Sequence, residues 1–373
     1  MKSQNPGVIG LLIIGRCDTV IDWERGLNIV VIGGQYPDSL AKCVFVTLKD
    51  MGYAVYSVDD RNILFSNRLL ARRVVKIGVT LRKIEDFLIR SSSSFERRIY
   101  NNLCRLIEPY EPDLIITHSA WIPPEVISKL KQQTGATIVC WFPDHPANLG
   151  RQYLLAGEYD VLFFKDRFLV ELAKRVGRNA YYLPECIQPK WHKKVELSEE
   201  EMERYGCDIT IAGNLYYYRA LILEYLLKNG YDIKIWGPPV PRWLKSPVVK
   251  VHQNHYVAEL EKAKAFRAAK ICLNTFQGEV SGVNLRTFEI AGCGGFQICE
   301  YRPEVEEFFT PNEEIIVFYN LKDLKEKIDY YLTHPEERQA IADRAYEKAH
   351  REHTYEKRLK QMLKVIAEIK GSL

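Results

Sequence analysis

Between Glu279 and Glu300 the chain reads EVSGVNLRTFEIAGCGGFQICE, and this stretch concentrates side chains able to hold a phosphorylated ligand. Ser281, Gly282 and Asn284 form a polar loop that feeds a short apolar helix carrying Arg286 and Glu289. A loop entering a helix N-terminus offers unpaired backbone N–H groups and the positive end of the helix dipole, which favours an anion. Arg286 adds a planar fork of donors for phosphate oxygens. Glu289, one turn along, carries a carboxylate that can accept from sugar hydroxyls. Gly292-Cys293-Gly294-Gly295 stop the helix, and Phe296–Cys299 start a buried strand. The same residues also fit an ordinary capped helix with one surface ion pair, so the rest of the chain decides between the two readings.

A second set of candidates follows strand signals in the first half. Asp113–Thr117 ends in His118-Ser119, and Thr137–Phe142 runs into Pro143-Asp144-His145-Pro146. Ligands of open parallel sheets bind beyond the carboxyl ends of the strands. His118, Asp144 and His145 are therefore candidates to position or deprotonate a hydroxyl, although a loop histidine just as readily makes an ordinary hydrogen bond. Residues 61–107 hold eleven Lys or Arg against three acids. Leu70, Val74, Ile77, Leu81, Ile84 and Leu88 recur at helical spacing there, with Arg73, Lys76, Lys83 and Arg90 on a neighbouring face. That face is either solvated or meets an anionic acceptor or an acidic membrane surface.

The elements that must position these residues alternate. Asn28–Gly33 is a strand signal, Pro37–Met51 a helix and Tyr53–Val58 a strand, after which strand and helix signals repeat to Leu183. The apolar runs are nearly continuous, which predicts parallel sheets covered on both faces. Gly33-Gly34-Gln35-Tyr36-Pro37 lacks the spacing of a dinucleotide fingerprint, so it supports the architecture and no cofactor. Residues 184–206 change to prolines, lysines and an acidic helix. The layout then repeats from Asp208, through Tyr218–Lys228, Ile233–Trp236, a helix over Tyr256–Ala265 and a strand over Ile271–Asn274. Thr333 is expected to cap a helix begun at Pro335, and Tyr355, Leu359, Met362, Ile366 and Ile369 share one face of a terminal helix.

At 373 residues, 47% hydrophobic and 27% charged, the chain is expected to fold as two globular domains. A net charge of +4 does not by itself point to nucleic acid. Nine scattered cysteines contain no C-x-x-C pair, which fits a reducing cytoplasm and indicates neither a disulfide framework nor a zinc site. Val8–Ile14 is too short to span a bilayer and is read as a buried strand or an N-terminal packing segment. Arg16 before Cys17 does not suit lipoprotein processing.

With these elements in order, Gly282–Glu289 and Gly292–Phe296 resemble the nucleotide-sugar signature of CgeB-like (spore maturation type) glycosyltransferases. Ile211-Ala212-Gly213-Asn214 with Arg219, Trp236-Gly237, Trp141–Pro146 and His353-Thr354-Tyr355 with Arg358 extend the similarity. The resemblance implies an α/β GT-B fold: two Rossmann-like domains facing a cleft, with a long C-terminal helix. The implied boundaries are 1–188 for the acceptor domain, 189–206 for a linker, 207–350 for the nucleotide-sugar domain, and 351–373 for a helix returning to the first domain.

It further implies that a nucleotide-diphosphate sugar, with UDP favoured, is held by Gly213, Asn214, Arg219, Trp236, Gly237, Ser281, Gly282, Val283, Asn284, Arg286, Thr287 and Glu289. Glu289 matches the second glutamate of a pair spaced by seven residues in related retaining families, where it holds the ribose. Ser281 stands where the first would be, and Glu279 lies two residues earlier. No cofactor or metal is expected, since no D-x-D pair lies in a suitable loop. The acceptor, a glycan, protein, polysaccharide or lipid-linked molecule, would meet Asp144, His118 and His145, with Arg73, Lys76 and Lys83 attracting an anionic one. Two other readings keep the fold: a nucleotide-sugar 2-epimerase, and a non-catalytic nucleotide- or sugar-binding protein.

Overall fold

Six runs in the first half pair into one parallel sheet, whose inner strands are buried on both faces while the edge run Ala54–Val58 is largely exposed. In the computed structural model, residues 26–67, 75–144, 146–276 and 282–371 are described. The expectations for Val8–Ile14, Cys17, Leu70, Arg73, Val74, His145, Glu279 and Ser281 fall outside them. The first half runs β1 (Asn28–Ile32), α1 (Leu40–Asp50), β2 (Ala54–Val58), α2 (Val75–Ser91), α3 (Ser93–Ile107) and β3 (Leu114–Thr117). It continues with α4 (Pro124–Thr134), β4 (Thr137–Phe142), α5 (Tyr153–Ala156), β5 (Val161–Phe164), α6 (Arg167–Arg175) and β6 (Ala180–Tyr182). The strand order is β2-β1-β3-β4-β5-β6, with β1 pairing in register to both β2 and β3.

A short helix, α7 (Glu199–Tyr205), carries a full capping box between Ser198 and Glu201 and leads into the second half. There follow β7 (Cys207–Ala212), α8 (Tyr217–Lys228), β8 (Ile233–Trp236), α9 (Glu259–Ala268), β9 (Ala269–Asn274), α10 (Leu285–Gly292), β10 (Gln297–Glu300) and β11 (Ile316–Phe318). These strands form a second parallel sheet in the order β11-β10-β9-β7-β8. Three helices end the chain: α11 (Leu321–Thr333), α12 (Pro335–Glu352) and α13 (Tyr355–Gly371). The two-sheet GT-B architecture implied by the resemblance is the architecture observed. Among the described residues, no helix is long and apolar enough to cross a membrane.

Helix α13 leaves the second half and packs on the first. Tyr355, Leu359, Met362 and Ile366 are buried with Val44, Leu48 and Trp141 in one core cluster. The Tyr355 and Trp141 rings lie 5.9 Å apart, and the Arg358 Nε–H donates to the Pro184 carbonyl at 3.1 Å. The stretch after β6 is likewise fixed: Ile187 is fully buried, and it bridges in parallel to Thr354.

Some local expectations are corrected. The apolar stripe on α2 does not face the core throughout, because Ile77 and Ile84 are exposed while Glu85 is buried. Glu85 is taken inward by the backbone N–H groups of Phe65 and Ser66, 2.8 and 3.1 Å away. Helix α9 starts at Glu259 and not at Tyr256, after an Ala258 with extended backbone. Thr333 ends α11 and does not cap α12, its hydroxyl turning back to the Tyr330 carbonyl at 2.8 Å.

Leu359→Ala should remove a fully buried side chain from the seam between α13 and the first sheet. The expected loss is about 2–5 kcal/mol, read as a lower urea midpoint. An unchanged midpoint would contradict this packing.

Candidate functional site

The loops at the carboxyl ends of β7, β8 and β9 and the start of α10 gather most of the donor-side candidates. Asn284 caps α10, its side-chain oxygen accepting from the Thr287 N–H at 3.2 Å. Its amide nitrogen donates to the Asn274 side chain at 2.9 Å and to the Thr275 carbonyl at 3.2 Å, which fixes the loop from behind. Thr287 accepts from Asn274 at 3.1 Å. Gly282 has φ +80°, and a Cβ there would come 3.1 Å from the Lys165 carbonyl of the first half. Val283 is buried beside it.

Two guanidinium groups converge on Gly213. Arg219, from the first turn of α8, donates through Nε to the Thr275 hydroxyl at 3.0 Å and also bonds the Asn214 carbonyl. Arg286 donates through Nε to the Ala212 carbonyl at 3.2 Å. A Cβ placed on Gly213 would sit 3.3 Å from a terminal nitrogen of each arginine, and the residue has φ +131°. Only glycine leaves that space to a ligand. Gly237 serves the same loop, since a Cβ there would lie 2.4 Å from the Gly213 carbonyl. Trp236 is buried behind, donating its indole N–H to the Thr210 hydroxyl at 3.1 Å. The Asn214 amide reaches the Tyr216 hydroxyl at 3.1 Å.

Glu289 is not on the surface of the cleft. Its side chain is fully buried, with Oε1 2.6 Å from the Lys262 Nζ and 3.4 Å from His192 Nε2, and Oε2 3.3 Å from Arg286. Lys262 reaches across to the first half, 2.7 Å from Asp38 Oδ2, which also accepts from the Glu259 N–H at 2.9 Å. His192 receives the Gln188 backbone N–H on Nδ1, which leaves its proton on Nε2, facing both carboxylates. Burial would raise both acids, and their neighbours outweigh it. His192 and Lys262 hold Asp38 below its ordinary value, while Lys262 and Arg286 do so for Glu289. Asp38, His192 and Glu289 bring metal-capable atoms within 4.8 Å of one another. Lys262 already stands between the carboxylates as their cation. Asp38 Oδ1, His192 Nε2 and Glu289 Oε2 are buried without a hydrogen-bond partner.

The first half contributes the opposite wall. A cleft of about 600 Å³ is bounded by the loops after β1, β3 and β4, and by Leu285 of the second half. His118 and Asp144 both line it. His118 Nδ1–H donates to the Trp141 carbonyl at 3.0 Å, so the unpartnered Nε2 carries the lone pair. Burial lowers the His118 pKa to about 4, against a smaller raising effect of the Trp141 carbonyl. The imidazole is thus neutral near pH 7 and accepts a hydrogen bond better than it retains a proton. Asp144 is exposed at the cleft mouth. Of the basic candidates, Lys76 and Lys83 lie on α2, where Lys83 is exposed. Lys83 is not among the described residues bounding this cleft.

Sequence reasoning missed Asp38, His192 and Lys262. One signal was available, because Asp38 stands at the first βα loop, where parallel sheets bind ligands. His192 and Lys262 carried none, each reading as a polar residue of a linker or a helix face.

The chain is similar to known proteins in its second half and in its fold. Residues 219–364 match a family described as glycosyl transferase-like. The spore protein CgeB of Bacillus subtilis is 23% identical over 259 residues, covering 64% of this chain and 78% of that protein. A glycosyltransferase from Rickettsia africae superposes with a TM-score of 0.60 at 13% identity, over 91% of this chain and 98% of the other. Anabaena Alr3699/HepE, solved with UDP-glucose, gives 0.62 at 10% identity, over 91% and 99%. The CgeB-like resemblance and the GT-B fold stand on these matches.

Lys262→Ala would leave two buried carboxylates short of their shared cation. Stability should fall by about 3–5 kcal/mol in urea denaturation. The Lys262→Met, Glu289→Gln double variant should lose less than the sum of its two single variants, and strictly additive losses would contradict the coupling.

Proposed function

We propose that this CgeB-like GT-B chain is a glycosyltransferase that moves a sugar from a uridine-diphosphate sugar to a hydroxyl of a glycan, protein or lipid-linked acceptor. The observation that carries the reading is the convergence of Arg219 and Arg286 on Gly213, beside the capped N-terminus of α10. The departing nucleoside diphosphate gains negative charge as its bond to the sugar lengthens. Two fixed guanidinium groups and a helix N-terminus meet that charge without reorganising. The uridine choice draws on the UDP-glucose in the Anabaena neighbour.

In the step itself, the bond from the sugar anomeric carbon to the phosphate oxygen breaks, and its electron pair stays on the diphosphate. The acceptor oxygen forms the new bond to that carbon. With a pKa near 4, His118 is a weak base, so its Nε2 orients the acceptor hydroxyl. The proton passes to the departing phosphate oxygen, as in a retaining reaction. Asp144, on the same wall of the cleft, steadies the acceptor or the transferred sugar. Glu289, fully buried and bonded to Lys262, holds Arg286 3.3 Å from its Oε2 and so fixes the direction of that guanidinium group. Arg219 and Arg286 supply cationic charge from the protein itself at Gly213, which supports a reaction without a metal.

Arg219→Ala tests the diphosphate assignment. Arg219 is anchored on Thr275 and Asn214, whereas Glu289 is held by Lys262 and Arg286. UDP affinity by titration calorimetry should fall roughly 10–100-fold, the worth of about 1.5–3 kcal/mol for hydrogen bonds to a charged group. Unchanged affinity would overturn the site.

A further inference from the structure

A second cavity, of about 280 Å³, lies behind the cleft in the first half and shares Asp60, Ser119 and Trp121 with it. Its far wall is formed by α2 and α3, and its remaining edge by Arg151. Four arginines line it, and three of them are already committed. Arg61 makes a two-pronged contact with Asp59 at 2.9 and 2.6 Å. Arg82 pairs with Asp86 at 3.0 Å, and Arg151 pairs with Glu96 at 2.6 Å. Arg90, an exposed residue, is therefore the one arginine of this lining with no carboxylate partner among the described residues. Its backbone carbonyl accepts from Arg151 at 2.8 Å.

The junction with the cleft has a different character. The Trp121 ring lies against Gly150, where an added Cβ would come 2.4 Å from the ring. About half of Trp121 is exposed, 49%, so its ring borders both spaces. A flat indole is a good partner for the C–H face of a sugar ring, and its neighbour Asp60 can hydrogen-bond sugar hydroxyls. Burial raises the Asp60 pKa against the Ser119 hydroxyl, its strongest opposing contact. A carboxyl held in that way suits a neutral, hydroxylated ligand portion better than a cation.

We propose that this side cavity is the acceptor subsite, taking a sugar ring against Trp121 and a phosphate or carboxylate substituent at Arg90. The ring's free hydroxyl then points past Asp60 into the cleft, toward His118 and Asp144. The proposal rests on the glycosyltransferase reading and deepens it, by naming the acceptor class as an anionic sugar, free or at the end of a glycan. Arg90 is a specificity residue in this account and takes no part in bond making.

The test uses the full chain saturated with UDP, titrated with glucose 6-phosphate, glucuronate and glucose. At least one of the two anions should bind ten-fold or more tightly than glucose, and which one binds identifies phosphate or carboxylate as the group read by Arg90. Arg90→Gln should abolish that preference while leaving UDP affinity unchanged, and Arg90→Lys should keep part of it. Equal binding of all three probes, no binding of any, or a preference that survives Arg90→Gln would overturn the subsite. A chain that fails to bind UDP at all would instead overturn the donor site. The two failures are therefore read separately.

Discussion

A single ammonium group, Lys262 Nζ, lies 2.7 Å from a carboxylate of the first half and 2.6 Å from one of the second. All three side chains are buried, so water cannot replace any of them without the seam opening. Asp38 and Glu259, which share a further hydrogen bond across the seam at 2.9 Å, both adopt positive φ, +60° and +53°. Such backbone is uncommon outside glycine and persists where the surroundings hold it. Lys42 adds a second crossing to Glu259 at 2.5 Å, and Arg167 a third to Glu307 at 2.7 Å. These charges hold the two sheets together alongside the apolar seam that α13 packs onto the first half.

The donor cradle depends on the same anchor. Arg286 sits between Glu289, at the inner end of the cluster, and the Gly213 loop, at its outer end. A guanidinium group pinned on one side by a buried carboxylate presents its remaining donors in a fixed direction, which is what a departing diphosphate requires. Arg219 is fixed separately, by Thr275 and Asn214. The two cations therefore approach one point from different elements, and the absence of a side chain at Gly213 leaves the room between them.

Much of this architecture was legible because parallel sheets leave a plain mark: continuous apolar runs separated by helical spacing. The Gly282–Glu289 motif was legible for a similar reason, since Asn284 as a cap and Arg286 one turn inward are local chemistry. The buried cluster was not legible. Asp38 and Lys262 are far apart in sequence, and each alone reads as a polar residue at a helix start or on a helix face. Only the closure of two domains turns them into partners. Ile77 and Ile84 misled in the opposite sense: their spacing matched a core stripe, yet Glu85 on the same helix faces inward because two backbone N–H groups require an acceptor. Local patterning records which residues could be buried, and long-range hydrogen bonding decides which are.

The central claim is that the Arg219–Arg286 point receives a nucleoside diphosphate while the Lys262 anchor holds the two halves around it. A crystal structure of the chain with UDP tests this most directly. The account predicts density for both phosphates against the Gly213 loop, with Arg219 and Arg286 within hydrogen-bond distance of their oxygens and Lys262 still joined to Asp38. Nucleotide bound elsewhere, or bound there with the two arginines turned away, would contradict it.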